Sequence, residues 1–235
     1  MEQKFDPEKL RPVERVCDVD PRNLMFVKVN PLDGTHQQMD LAGHHAEISE
    51  CVLHRGVPQD IALQFETAKN IYLYSWFVYR FFNVAENHGY ACLELALRER
   101  LKDEIAAGKL GSNRPGLRRL LGYAADHRLI KNEGFATWRN RGEINSRHRA
   151  ESEALRRMAE GNLDEIALDY STLQVTQDDL DWDYVNALVE ALPALRNNYA
   201  HGSHDLHNWS LRMIRVVVEI INQLFDIPHQ EAVVP

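Results

Sequence analysis

The sequence predicts an all-α helical bundle with a small N-terminal β-hairpin or extended arm. Three observations support that class. From Pro58 onward, apolar residues recur at spacings of three and four rather than two. A stretch rich in Gly, Ser, Asn and Pro between Ala107 and Gly116 separates two such periodic regions. Before about Val57 the pattern changes to short strand-like runs bounded by turn residues. The expected organisation is an arm over residues 1–57 and a helical domain over residues 58–235.

In the arm, Leu24 to Val29 reads as a short strand closed by Asn30-Pro31 and the Asp33-Gly34 turn signal. His45 to Leu53 is the candidate for a second strand. Pro58 suits the first turn of a helix, and Ile61, Phe65, Ala68, Tyr72, Trp76 and Tyr79 mark one face of it. Between Ile71 and Phe82 the chain is apolar almost all round, as expected of a central, buried helix. Asn87-His88-Gly89 either breaks that helix or lies within a long one. Tyr90, Leu93, Leu97, Leu101 and Ile105 carry the period on to Gly108. Leu117 to Ile130 reads as a shorter helix, Asn132 to Gly142 as irregular, and Ser146 to Glu160 as a charged helix. Asp181 is the expected N-cap of a helix bearing Tyr184, Leu188, Ala191, Leu192 and Leu195. After a polar turn, Leu211, Ile214, Val218, Ile221 and Phe225 define a last helix that ends before Pro228.

With 235 residues, 44 % hydrophobic and 26 % charged, the chain can bury a sizeable core. No apolar run approaches the roughly 20 residues that span a bilayer, and the first residues lack the apolar core of a signal peptide. A cytoplasmic protein with no membrane association is expected. Cys17, Cys51 and Cys92 are an odd, widely spaced set that fits neither a disulfide framework nor a zinc site, so they read as packing thiols. The formal net charge of −8 gives no global attraction to nucleic acid, so any RNA contact needs a local basic patch.

Chemistry concentrates at Leu195-Arg196-Asn197-Asn198-Tyr199-Ala200-His201-Gly202, between the last two strong helices. An imidazole moves protons in either direction near neutral pH. A guanidinium stays charged and can brace a phosphate through two parallel hydrogen bonds. Asn197 can orient the His or donate to the phosphate. These are parts sufficient for RNA transesterification without a metal. The spacing alone is weak, since Arg141 and His148 form another such pair. Context separates them: only Arg196 closes an amphipathic helix, with Asn after it and Gly after the His.

Arg196-Asn197-Asn198-Tyr199-Ala200-His201 resembles the motif of the HEPN superfamily, which places Arg, a polar residue and His between the last two helices of a bundle. Ala91 to Leu101 is also similar to an early helix of that family, with Glu94, Leu97, Arg98 and Leu101 at the matching positions. The resemblance covers about Pro58 to Phe225, with the middle loosely matched. It implies a HEPN-like bundle and an endoribonuclease that uses the substrate's own 2′-OH, with no cofactor and no metal. Arg196 would brace the phosphate, Asn197 would position it and His201 would transfer the proton. It further implies an RNA substrate, a homodimer with facing motifs, a regulatory protein partner in some members, and roles in toxin–antitoxin or antiviral defence. One toxin subgroup carries Tyr two positions after the His, where this chain has Ser203. The alternative is a non-catalytic HEPN module that binds RNA or a protein partner.

Other features stand beside the motif. Arg139, Arg141, Arg147, Arg149, Arg156 and Arg157 are the main basic concentration; the first four are the candidate RNA-binding residues, and a solvated helix face is the plainer alternative. His201, His204 and His207 form a ladder, but the i+6 position has rotated away from the first, which argues against a metal site. Tyr72, Tyr74, Trp76, Phe77, Tyr79, Phe81 and Phe82 read as core. Glu94 and Arg98 read as an i, i+4 ion pair.

Overall fold

A computed structural model describes residues 6–29, 35–200 and 206–226. The chain is mostly helical, with one small antiparallel hairpin near its N-terminus. Its strands are β1, Val27–Val29, and β2, His36–Gln38, in the register Val27 with Gln38 and Val29 with His36. The turn residues Asn30 to Gly34 lie outside the described residues. The first strand falls where the sequence placed it; the second does not. His45 to Leu53 is instead largely helix α1, Leu41–Ser49. The reason is local: Asp40 caps that helix by accepting the Gly43 N–H at 2.7 Å, and His44 and Ile48, one turn apart, are both buried.

Helix α2, Gln59–Tyr74, and helix α3, Phe81–Arg100, come next. The break between them falls at Ser75 to Arg80, inside the aromatic run, while Asn87-His88-Gly89 lies within α3. The N-terminal segment fastens that break. Asp20 is buried, takes two hydrogen bonds from the Arg22 guanidinium, and accepts the Arg22 and Tyr79 N–H groups, both at 3.1 Å. Asn23 donates to the Ser75 and Trp76 carbonyls at 2.8 and 2.9 Å, and Arg11 donates to the Phe77 carbonyl. Burial opposes the charge on Asp20, yet the Arg22 guanidinium and the two backbone N–H groups outweigh it and hold its pKa below the usual aspartate value.

After the short α4, Lys102–Ala106, come α5, Leu117–Asp126, and α6, Ala136–Arg139. The long charged α7, Arg141–Gly161, follows, then α8, Gln177–Leu180, α9, Tyr184–Ala200, and α10, Ser210–Leu224. The cap of α9 is Asp183 rather than Asp181: its carboxylate accepts the Asn186 N–H at 3.1 Å. Helix α3 packs against α2, α10, α5 and α9, and its buried residues include Phe82, Ala85, Tyr90, Leu93, Ala96 and Leu97. Helix α10 adds Ile214, Val217, Ile220 and Ile221 to the same core. Ile48, Cys51 and Val57, from the segment read as an arm, belong to that core too. The linker after α1 is stitched to α10 by Asn222, which accepts the His54 N–H and donates to the Val52 carbonyl, both at 3.0 Å.

Tyr72, Trp76, Tyr79 and Phe82 are buried as expected, whereas Tyr74 and Phe81 are exposed. Cys51 and Cys92 are packed inside, where burial pushes the Cys92 thiol up to about 12, and Cys17 is exposed. Among the described residues no helix is long and apolar enough to cross a membrane.

His44 is a buried group whose protonation is linked to folding. Its ring stacks on Tyr72 at 4.5 Å and Nε2 donates to the Tyr72 carbonyl at 2.9 Å. Burial lowers its pKa below the ordinary 6.5. As pH falls through about 6.5 the unfolded chain takes up a proton that the folded ring resists, so folding stability declines there. His44→Phe keeps a ring on Tyr72, and the carbonyl retains the Ser75 hydroxyl and N–H as donors. Urea midpoints at pH 7.5 and 5.5 are expected to differ less in this variant than in the parent. Equal differences would remove His44 as the source.

Candidate active site

Helix α9 runs unbroken past Pro193 to Ala200, so Arg196 and Asn197 lie inside a helix and not at its end as the sequence suggested. Pro193 lacks the N–H that would bond the Val189 carbonyl, but the helical backbone continues. The aim of Arg196 follows from helical periodicity. Leu188 and Leu192 precede it at steps of four and are buried. Arg196 therefore occupies the core-facing stripe one turn beyond its last buried leucine, where it meets the outer side of α3. Asn197, one residue on, is exposed.

The partner on α3 is Glu94. Arg196 Nη2 stands 3.5 Å from Glu94 Oε2, while Arg98 Nη2 holds the other carboxylate oxygen at 2.7 Å. The Arg98–Glu94 pair matches the i, i+4 expectation; its link to Arg196 is a tertiary contact between distant segments, which no local spacing reveals. Arg98 also donates to the Pro115 carbonyl at 2.8 Å. Two guanidinium groups thus share one carboxylate, leaving net positive charge. The Arg196 side chain is 40 % exposed, so much of its hydrogen-bonding capacity faces water.

This cluster borders two cavities. One, of about 500 Å³, is lined on α3 by Val84, Asn87, His88, Ala91, Glu94 and Arg98, with Arg196 across from them. Those positions form one helical stripe, at steps of three and four, on the side of α3 away from the core. The second, of about 260 Å³, lies between Arg196, Asn197, Pro193 and Arg118. His88 and Arg118 carried no signal in the sequence, because nothing in a single chain shows which helix faces meet. Within His88, Nε2 is buried and has no hydrogen-bond partner among the described residues.

His201 lies outside the described residues, as do His204 and Asp205 of the histidine ladder; His207 is described and sits 3.8 Å from the buried Glu86. The four candidate RNA-binding arginines are on α6 and α7, and none lines either cavity beside Arg196. They hold their own surroundings together. Arg139 donates to the Glu133 carbonyl, and Arg141 lies over the Trp138 ring at 3.6 Å while donating to the Leu180 carbonyl. Arg147 pairs with Glu143 at 2.8 Å. Arg149 binds both carboxylate oxygens of Asp179, at 3.1 and 2.9 Å, and its guanidinium with the Thr176 N–H keeps that carboxyl well below the usual range. The Arg141 and Arg149 contacts fasten the segment before α9 onto α7.

No family model matches the chain, and neither a curated protein nor a solved structure matches it.

The loose, part-exposed Arg196–Glu94 contact contributes little to folding, since such pairs are worth about 0–1 kcal/mol. Arg196→Ala is expected to shift the urea-unfolding free energy by less than about 1 kcal/mol. A loss of several kcal/mol would make Arg196 a structural residue and remove it from the site.

Proposed function

We propose that this chain is a metal-independent endoribonuclease of HEPN type, with Arg196, Asn197 and His201 as its catalytic residues. The observation that carries the reading is the position of Arg196: a half-exposed guanidinium, loosely paired, at the junction of two cavities. A group held for packing alone would be more tightly engaged, as Arg149 is.

The chemistry assigns one step to each residue. Arg196 binds the nonbridging oxygens of the scissile phosphate and stabilises the charge that builds on them. Asn197, exposed beside it, donates to the same phosphate. His201 moves the proton as the 2′-oxygen bonds to phosphorus and the bond to the 5′-oxygen breaks. The 2′-hydroxyl proton is lost and the departing 5′-oxygen gains one, leaving a cyclic phosphate and a 5′-OH. The resemblance also supplies a second copy of the chain as partner, so that two motifs face one cleft, and a role in toxin–antitoxin or antiviral systems.

The net charge of −8 favours the other reading, a HEPN module without catalysis. Incubation of labelled single-stranded RNA with the protein in EDTA separates them. Wild type is expected to yield cyclic-phosphate ends, and His201→Ala and Arg196→Ala to lose roughly 10²-fold or more in rate. No cleavage by wild type across varied RNAs supports the binding module. Equal cleavage by all three proteins places the activity elsewhere.

A further inference from the structure

The cavity of about 260 Å³ is the middle of three. Arg196 lines it and the 500 Å³ cavity on α3; Arg118 lines it and a larger one of about 730 Å³ over α5. Each neighbouring pair of cavities thus has an arginine at its shared border. Along them stand five cations, Lys109, Arg119, Arg118, Arg196 and Arg98, against the carboxylates of Glu94, Asp126 and Glu190. Acidic residues outnumber basic ones in the chain as a whole, 35 to 27, so this line reverses the general charge.

Four of the cations along it are available to a ligand, while Arg98 is held by Glu94 and the Pro115 carbonyl. Among the described residues Lys109 makes no ion pair, and Arg119 donates to the Leu110 carbonyl at 3.2 Å rather than to a carboxylate. Arg118 pairs with Glu190 at 2.7 Å, but both side chains are more than half exposed, at 58 % and 61 %. Such a pair is weak enough for a phosphate to displace. Beside them the Tyr123 and His127 rings stack, with centroids 3.8 Å apart and planes 13° from parallel, and His127 is exposed. An unpaired base can stack on such a platform, whereas a base inside a duplex cannot. Beyond Asp126 the adjoining cavity carries Asp126, Glu133 and Asp183 against Arg128 and Lys131, and the positive line ends there.

We infer that this channel, from Lys109 and Arg119 through Arg118 to Arg196 and Arg98, binds the backbone of single-stranded RNA, with a base stacked on His127. The inference rests on the nuclease reading for its choice of RNA, and it moves the RNA-binding surface from the α6–α7 arginines to α5 and the outer face of α3.

The test is fluorescence anisotropy with a labelled 2′-O-methyl single-stranded oligonucleotide, which has no attacking hydroxyl and so reports binding apart from cleavage. Combined Lys109→Ala, Arg118→Ala and Arg119→Ala is expected to weaken binding at least tenfold near 0.15 M salt. The slope of log affinity against log salt should fall by about two, because each phosphate that a cation neutralises contributes roughly 0.7 to it. His127→Ala should weaken binding with the slope unchanged, and Arg156→Ala, on α7, should leave both unchanged. Wild-type affinity and slope in the triple variant would overturn the channel, as would a wild type that binds no RNA. Equally tight, channel-dependent binding of poly-glutamate would overturn the RNA assignment in favour of an acidic protein partner. The two readings fail separately. Channel-dependent binding, with no cleavage of the matching 2′-hydroxyl strand, removes the nuclease and keeps the channel; cleavage with unchanged binding in the triple variant removes the channel and keeps the nuclease.

Discussion

The constraint on which this structure depends is the crowding around α3. Four helices pack on it, and Ala85, Leu93, Ala96 and Leu97 are fully shut from water. A helix so surrounded has one free stripe, and on α3 that stripe carries Asn87, His88, Glu94 and Arg98. Glu94 and Arg98 there pair with each other, and Asn87 is exposed to water, so these groups do not weaken the core. The same geometry fixes the neighbour. Helix α9 packs on α5 and α3 and buries Leu188 and Leu192, so the next residue in step, Arg196, is delivered to the edge of the free stripe. The site is thus a by-product of how two amphipathic helices end their contact.

Glu94 then acts as an internal anion. It keeps Arg98 and Arg196 close together, which two like charges would otherwise resist, while holding Arg98 tightly and Arg196 loosely. At the distances involved the attraction is modest in a part-solvated setting. A phosphate with two charged oxygens can take over the looser contact, whereas Arg98 is also anchored to the Pro115 carbonyl. The asymmetry suits a ligand site: one arginine is scaffold, the other is free to change partner.

Much of the helical frame was legible in the sequence because helices are local. The periodic positions of α2, α3, α5, α9 and α10 could be read directly, and their buried faces follow that period. Misreadings fell where a competing local signal or a distant partner decided the outcome. His45 to Leu53 has enough alternation to pass for a strand, yet the Asp40 cap and the burial of His44 and Ile48 make it helix. Arg196 looked like the close of its helix, but α9 continues to Ala200. Arg196 and Asn197 were legible as chemistry. Glu94 as their neighbour was not, since Glu94 and Arg196 are separated by 102 positions. The arginine-rich stretch of α7 was visible only as charge; Asp179 as the partner of Arg149 makes that part of it internal fastening.

That distribution bears on how an acidic protein can hold a polyanion. Field strength at a phosphate depends on charges within roughly 8 Å at physiological ionic strength, not on the total. Arg149 on α7, whose charge is neutralised by the buried Asp179, adds little outside its own neighbourhood. Lys109, Arg118 and Arg119 act differently, because their nearest acids are few, exposed and displaceable. The remaining negative surface then has a consequence of its own. If the strand binds as proposed, that surface disfavours it away from the channel and so biases it toward Arg196. A uniformly basic surface would hold strands away from Arg196 as readily as beside it.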